Sequence, residues 1–415
     1  MRLPLTLVAL TIVTSSAQGL CEEHDRLPTS VLVARANEED PAAAVENRPA
    51  NIHPGAPKPV SPIELSSAID RGVEFLLKDQ NRDGSWGSPE RTKDLNILAG
   101  IGSHHAFRTA VTALCVSALI EVADQRLPAV SVAIERGEQF LFEQLPAVRR
   151  DEPALIYNVW THAYGISALV DMYGRRPGDI ARREKIADII RGQIDKLQKY
   201  ESAEGGWGYY DFTAGTQRPA TSSTSFVNAA VLISLDESRQ IGVEPPKKLV
   251  DRAIKMIQFQ RKPDNSYIYG TYLRNNPMMP INRPGGSLGR SQACNLALRV
   301  WGDTSIQDDV CCEWLDRLIT RNGWLDMGRK RPIPHESHFQ VAGYFYYFGH
   351  YYAALTVPQL PAGNRPFYQD HLANILLSHQ ETDGSWWDYP LYNYHQQYGT
   401  AFALMSLRLC QQPAD

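Results

Sequence analysis

A chain built from six copies of one 60-residue unit has few ways to fold, and this sequence is such a chain. The segments "AIDRGVEFLLKDQ" (68–80) and "AIERGEQFLFEQL" (133–145) are two versions of one amphipathic helix. Related segments end at Gln198, Gln260, Thr320 and Gln380. With Gln80 and Gln144 as the first two markers, the steps are 64, 54, 62, 60 and 60 residues, so six units run from Ser61 to the end. Most markers are followed by a turn: Asp83-Gly84-Ser85-Trp86, Gly205-Gly206-Trp207, Asp264-Asn265-Ser266-Tyr267, Asn322-Gly323-Trp324 and Asp383-Gly384-Ser385-Trp386. Gly and Asn tolerate the positive φ that ends a helix, and the aromatic then folds back onto the structure. The second unit lacks this signature.

Between the turns each unit carries a second, more apolar helix, such as "RTAVTALCVSALIEV" or "YGTAFALMSLRLC". A helix without a polar stripe must be buried on most sides. One amphipathic and one nearly all-apolar helix, six times over, predict an all-α fold, an (α/α)6 toroid of six helical hairpins in two concentric rings over residues 62–412. Closure removes the need for polar end caps. An open solenoid of the same pairs has the same periodicity and stays open as the alternative.

Gln80 with Trp86 and Gln380 with Trp386 have the spacing of the so-called QW repeat. In this the chain resembles the terpenoid cyclase and prenyltransferase superfamily, whose squalene-hopene cyclase members carry that repeat. The resemblance implies a closed ring over about residues 61–412, with each Gln and Trp tying one outer helix to its neighbour. The superfamily's chemistry does not carry over. The sequence has no Asp-x-Asp-Asp acid motif, no Asp-Asp-x-x-Asp metal motif and no Gly-Cys-Gly-Glu-Gln thioester. Where the prenyltransferases hold zinc, the nearest match is Gln292 with Cys294 and His350, and an amide replaces the acidic ligand. His335 and His338 have metal-pair spacing but stand in a Pro-rich, loop-like stretch. No metal site and no particular cofactor follows from these residues.

Composition narrows the partners. The chain of 415 residues is 43% hydrophobic with a net charge of -4, and no Lys/Arg block is interleaved with aromatics, which argues against nucleic acid. Residues 1–19, "MRLPLTLVALTIVTSSAQG", read as a signal peptide too short to span a bilayer stably, with Ala17 and Gly19 placed for cleavage. The mature chain is then secreted or periplasmic, without an integral membrane segment. Lipidation at Cys21 is the alternative, although the bulky Leu20 precedes it. Residues 20–61, rich in Pro, Ala and Glu, read as a disordered leader. The six cysteines are too irregularly spaced for a disulfide framework.

In a closed ring, ligands enter where the N-terminal turns of the inner helices leave N–H groups unpaired. Polar and aromatic residues expected there to bind a ligand are His104, Arg108, Tyr157, Trp160, Asn228, Arg290 and Tyr398. Acid or base work falls to Asp211 and His162, with Glu152 and Tyr157 as further candidates. Three functions fit. The first is an exported cyclase-like protein holding a small-molecule or lipid ligand, apolar and isoprenoid-like, in a deep apolar cavity. The second is a polysaccharide lyase or hydrolase in which His162 or Asp211 converges with Arg108. The third is a protein-interaction scaffold with a filled centre.

Overall fold

The computed structural model describes residues 53–93, 97–124, 127–211, 219 and 223–411, all within one compact unit, Asn51–Asp415. The expected signal peptide, Cys21 and the leader as far as residue 52 lie outside the described residues. The described residues form thirteen α-helices and no β-strand. An outer set comprises α1 (Pro62–Asp79), α3 (Pro128–Gln144), α5 (Ile180–Tyr200), α7 (Lys247–Gln260), α9 (Asp308–Thr320) and α12 (Arg365–Leu377). It alternates along the chain with an inner set: α2 (Ile101–Val122), α4 (Asn158–Arg175), α6 (Ser225–Gln240), α8 (Leu288–Val300), α11 (Phe345–Thr356) and α13 (His395–Cys410). A one-turn α10 (Asn322–Asp326) follows α9.

The inner helices pack in order, α2 on α4, α4 on α6, α6 on α8, α8 on α11 and α11 on α13. The sixth contact, α13 on α2, closes the ring and excludes the open solenoid. Residue patterns account for the two layers. In α1 the buried side is a stripe of Leu65, Ala68, Ile69, Gly72 and Leu76, the spacing of one helix face. In α2 every residue from Thr109 to Leu119 is buried. Although α2 is long and apolar enough to cross a membrane by length and composition, 72% of that window is packed inside the ring. Prolines at the first or second position start α1, α3 and α12, where a missing N–H costs nothing.

The repeated phrase forms the same device in three units. Asp83 Oδ1 accepts from Ser85 N at 3.2 Å and Ser85 Oγ at 2.7 Å, and Asp264 with Ser266 and Asp383 with Ser385 do likewise. The turn's indole then caps the helix before it: Trp86 Nε1 donates to Leu76 O, Trp207 to Leu197 O and Trp386 to Leu376 O, at 2.7–2.8 Å. Gln80 Nε2 reaches Gly84 O at 3.0 Å and Ala133 O of the next outer helix, α3, at 2.8 Å. Gln380 Nε2 does the same to Gly384 O (3.0 Å) and to Ala68 O (2.9 Å) of the first outer helix, α1. The last unit is therefore joined to the first in both rings.

Two sequence expectations change. Asn322-Gly323-Trp324 is not a turn of this kind but forms α10, with Trp324 packed on Phe339 at 4.6 Å. The end of the leader is ordered, with His53 to Ser61 laid along α9 and α12. His53 Nδ1 meets Asp316 Oδ2 at 2.9 Å, Val60 N donates to Asp370 Oδ1 at 3.2 Å, and Asn374 Nδ2 donates to Lys58 O at 2.6 Å.

Aromatic rings cross the lumen within its first two helical turns. Trp160 of α4 meets Phe348 of the opposite helix α11 at 6.1 Å and Phe226 of α6 at 5.9 Å. One turn deeper, Tyr164 meets Phe402 of α13 at 5.7 Å. These contacts fill the level where the sequence led us to expect a deep apolar cavity.

Candidate functional site at the mouth of the ring

Above this aromatic plug, the loops entering the inner helices bring a chain of phenols together. Tyr209, in the loop before α6, touches the hydroxyl of Tyr269, from the loop before α8. The Tyr269 hydroxyl lies 3.1 Å from that of Tyr344, and Tyr344 lies 3.2 Å from His335 Nε2. Tyr157 and Tyr210 pair beside them at 2.7 Å, with Tyr157 stacked on Tyr209. Tyr389, ahead of α13, sets its ring 5.5 Å from Tyr344.

His335 stands at φ +65°, and Lys330, Phe339 and Gln340 in the same loop also have positive φ, a conformation costly for side chains of this size. The distorted loop turns the imidazole inward. Its Nδ1 lies 2.7 Å from the Gln340 carbonyl, which can only accept, so the proton sits on Nδ1 and Nε2 faces Tyr344 as an acceptor. Burial pushes His335 below the usual histidine range, while its bond to Gln340 opposes that shift. Burial also raises Tyr344 to about 12 and carries Tyr209 and Tyr269 well above the ordinary phenol value. At neutral pH the cluster thus consists of protonated phenols ending on a neutral imidazole. It can hydrogen-bond several ligand oxygens and pass one proton to His335 Nε2.

The residues named from sequence divide into several places. Tyr157 belongs to the phenol cluster, and Trp160 forms the floor beneath it. His104 lies at the mouth's edge, its ring 4.5 Å from Tyr392 and its Nδ1 3.3 Å from Tyr394 Oη. Arg290 is fully buried beside Tyr269 and braces the loop, donating to the carbonyls of Tyr267, Gly286 and Ile281. Tyr398 donates to the buried Asp388 at 2.5 Å, and burial lifts that carboxyl to about 6. Arg108 points away, bonding Ser85 at 2.8 Å and pairing with Asp83. Asn228 faces the outer ring, donating to Ala253 O at 2.9 Å.

His162 is sealed between α4 and α5. Its Nδ1 meets Gln193 Oε1 at 2.8 Å and its Nε2 meets Asn158 at 3.1 Å, and burial lowers its pKa to about 3. Asp211 is buried in an ion pair with Arg150 at 2.9 Å. Neither converges with Arg108, because both are bonded across the contact between the second and third units. Glu152 is exposed. His335 and His338 do not form a metal pair, since His338 is exposed against Phe339. His350 bonds Asn322 and the Tyr346 carbonyl, both at 2.7 Å. Sequence reading passed over Tyr209, Tyr210 and Tyr269. The available signal was an aromatic two residues past the turn aromatic, in "WGYY" and "YIY".

Fold and site together define an (α/α)6 toroid with a polar, aromatic mouth. No protein-family model matches the sequence, and no curated protein matches it. Solved structures are similar in fold. Cellobiose 2-epimerase from Spirochaeta thermophila DSM 6192 matches at 14% identity over 84% of this chain and 96% of that one, with TM-score 0.55. An inactive variant of the alpha-1,6-mannanase GH76A of Salegentibacter sp. HEL1_6, in complex with alpha-1,6-mannotetrose, matches at 10% identity over 84% and 99%, with TM-score 0.52. The type II terpene cyclase MstE from Scytonema is a looser fit, at 13% identity over 85% and 98% and TM-score 0.47. At such identities the likeness establishes the toroid and nothing finer.

Proposed function

We propose that the mouth binds a carbohydrate-class small molecule and that Tyr344 with His335 moves a proton on it. The observation that carries this reading is the chain Tyr209–Tyr269–Tyr344–His335, assembled from three loops and ending on a neutral imidazole acceptor. Phenol hydroxyls suit sugar hydroxyls, and aromatic faces suit the apolar faces of sugar rings. The plug beneath favours a short, ring-shaped ligand over a long chain threaded through the lumen. In this scheme Tyr344 takes the substrate proton as its own passes to His335 Nε2, leaving an imidazolium that the Gln340 carbonyl stabilises.

An isoprenoid-like or other lipid ligand is the second reading. It is favoured by the exposed apolar side chains of Leu98 and Met278 on the loops, at 67% and 66%, and of Ile101 at the start of α2, at 92%. Calorimetric titration with manno- and gluco-oligosaccharides, a uronate oligomer and a polyprenyl alcohol separates the two. We expect binding of an oligosaccharide, weakened at least tenfold in Tyr344→Phe and in His335→Gln. Binding of the polyprenyl alcohol alone overturns the proposal in favour of the second reading. Export of the chain is also our proposal, supported by Arg2, the apolar run Leu3–Val13 and the small residues Ala17 and Gly19. Expressed with its N-terminus intact, the chain should yield a mature protein beginning at Leu20, read by intact-mass spectrometry. An uncleaved Met1 in the exported fraction contradicts it.

A further inference from the structure

Beneath the plug, at the other end of the lumen, lies a cavity of about 30 Å3, room for roughly two waters. Three successive inner helices each turn one carboxyl into it: Glu121 of α2, Asp171 of α4 and Glu237 of α6. Each stands in the last turns of its helix, where the unpaired carbonyls add partial negative charge. Asp171 Oδ2 accepts from Ser117 Oγ at 2.6 Å. Glu237 Oε2 is enclosed and has no hydrogen-bond partner.

The surroundings offer little compensation. Tyr164 of α4 and Tyr351 and Tyr352 of α11 also line it, and Ser167 hydrogen-bonds the Glu237 carboxyl. Asp236 adds like charge on α6 and is itself paired with Arg239. The cation acting on Glu121 is Arg408 of α13, an exposed side chain that bonds Gln411 at 2.7 Å. The described acidic groups are not arranged to hold a metal ion. Three ionised carboxylates in this space would repel one another while only half solvated.

We propose that Glu121, Asp171 and Glu237 form a proton-holding latch at the base of the ring, which lets the three helix ends lie together while the carboxyls are protonated and forces them apart when they ionise. The inference does not depend on what binds at the mouth. Burial raises all three groups above the carboxylate range, Asp171 to about 7 and Glu237 to about 8. A carboxyl raised in the folded state keeps a proton that the unfolded chain has already released. Its contribution is therefore complete below the unfolded value and is lost as pH rises through the folded one. His162 and His350, lowered by burial to about 3 and 4, act in the opposite direction but only below their unfolded value of 6.5. His104, His335, His371, His379 and His395 are lowered as well, and Asp388, raised to about 6, acts in the same direction as the latch, so the comparison with the variants assigns the slope between pH 6.5 and 8.

The test is urea unfolding of the full chain across that window, for the wild type, Glu237→Gln and Asp171→Asn. The wild-type unfolding constant should rise with pH, by up to tenfold per pH unit for each proton held, and each variant should flatten the rise. Hydrogen exchange, corrected for its intrinsic pH dependence, should increase over residues 117–122, 167–173 and 233–239. A flat wild-type profile, or variants as steep as the wild type, overturns the proposal. Should a variant fail to fold, the wild-type slope and exchange decide alone.

Discussion

The amide of Gln380 bridges two carbonyls, Gly384 O in its own turn and Ala68 O in the middle of α1. Removing this half-buried bridge unties the turn from α1 and leaves Gly384 O without its donor, whereas Ala68 O keeps its bond within the helix. Gln380→Ala should lower stability by about 1–3 kcal/mol in urea titration, and an unchanged midpoint would deny the bridge its role. Other polar residues show how little identity reveals without environment. His162 and His335 are both buried imidazoles with two bonded nitrogens. The first touches only neighbouring helices, whereas the second ends a phenol chain at the mouth. What separates them is whether the partner hydroxyl belongs to the ring wall or to an entrance loop.

Among elements, the turns do more than reverse the chain. Gly84 and Gly384 both sit at φ +89°, and a Cβ there would run into the backbone carbonyls of Arg136 on α3 and Arg71 on α1. Glycine is required on both counts, conformation and approach, so each turn is pressed flat onto the next outer helix. Unit four achieves the same turn with Asn265 at φ +57°, since Asn tolerates that region. Unit five does not, and the chain after α9 instead passes through α10 into the distorted loop that carries His335. The unit that breaks the repeat therefore supplies the imidazole that ends the phenol chain.

At the scale of the molecule, closure governs stability. An open stack loses one interface when one terminal unit is removed, whereas a ring loses two and exposes the apolar face of α2 left by α13. A chain ending before α12 should therefore lose its cooperative unfolding transition altogether instead of losing about a sixth of its stability. Circular dichroism against urea reads this, and a cooperative transition in the shortened chain would count against closure as the source of stability. The strap from His53 to Ser61 strengthens the same seam by crossing α9 and α12.

The sequence by itself determined the period, the helix pairs, the turn chemistry of most units and the all-α class, because both signals are local, and the helix pair recurs six times. It also placed Tyr157 and Trp160 at the start of an inner helix, since that follows from where the apolar segment begins. Closure of the ring, the filling of the lumen by Trp160 and Phe348 from opposite walls, and the assembly of Tyr209, Tyr269, Tyr344 and His335 were decided only in three dimensions. Those contacts join residues 188 positions apart across the lumen and 312 apart at the closure, and no local pattern encodes which rings meet across a lumen. The same holds for Glu121, Asp171 and Glu237, which read as ordinary helix-end acids until three helices bring them into one cavity.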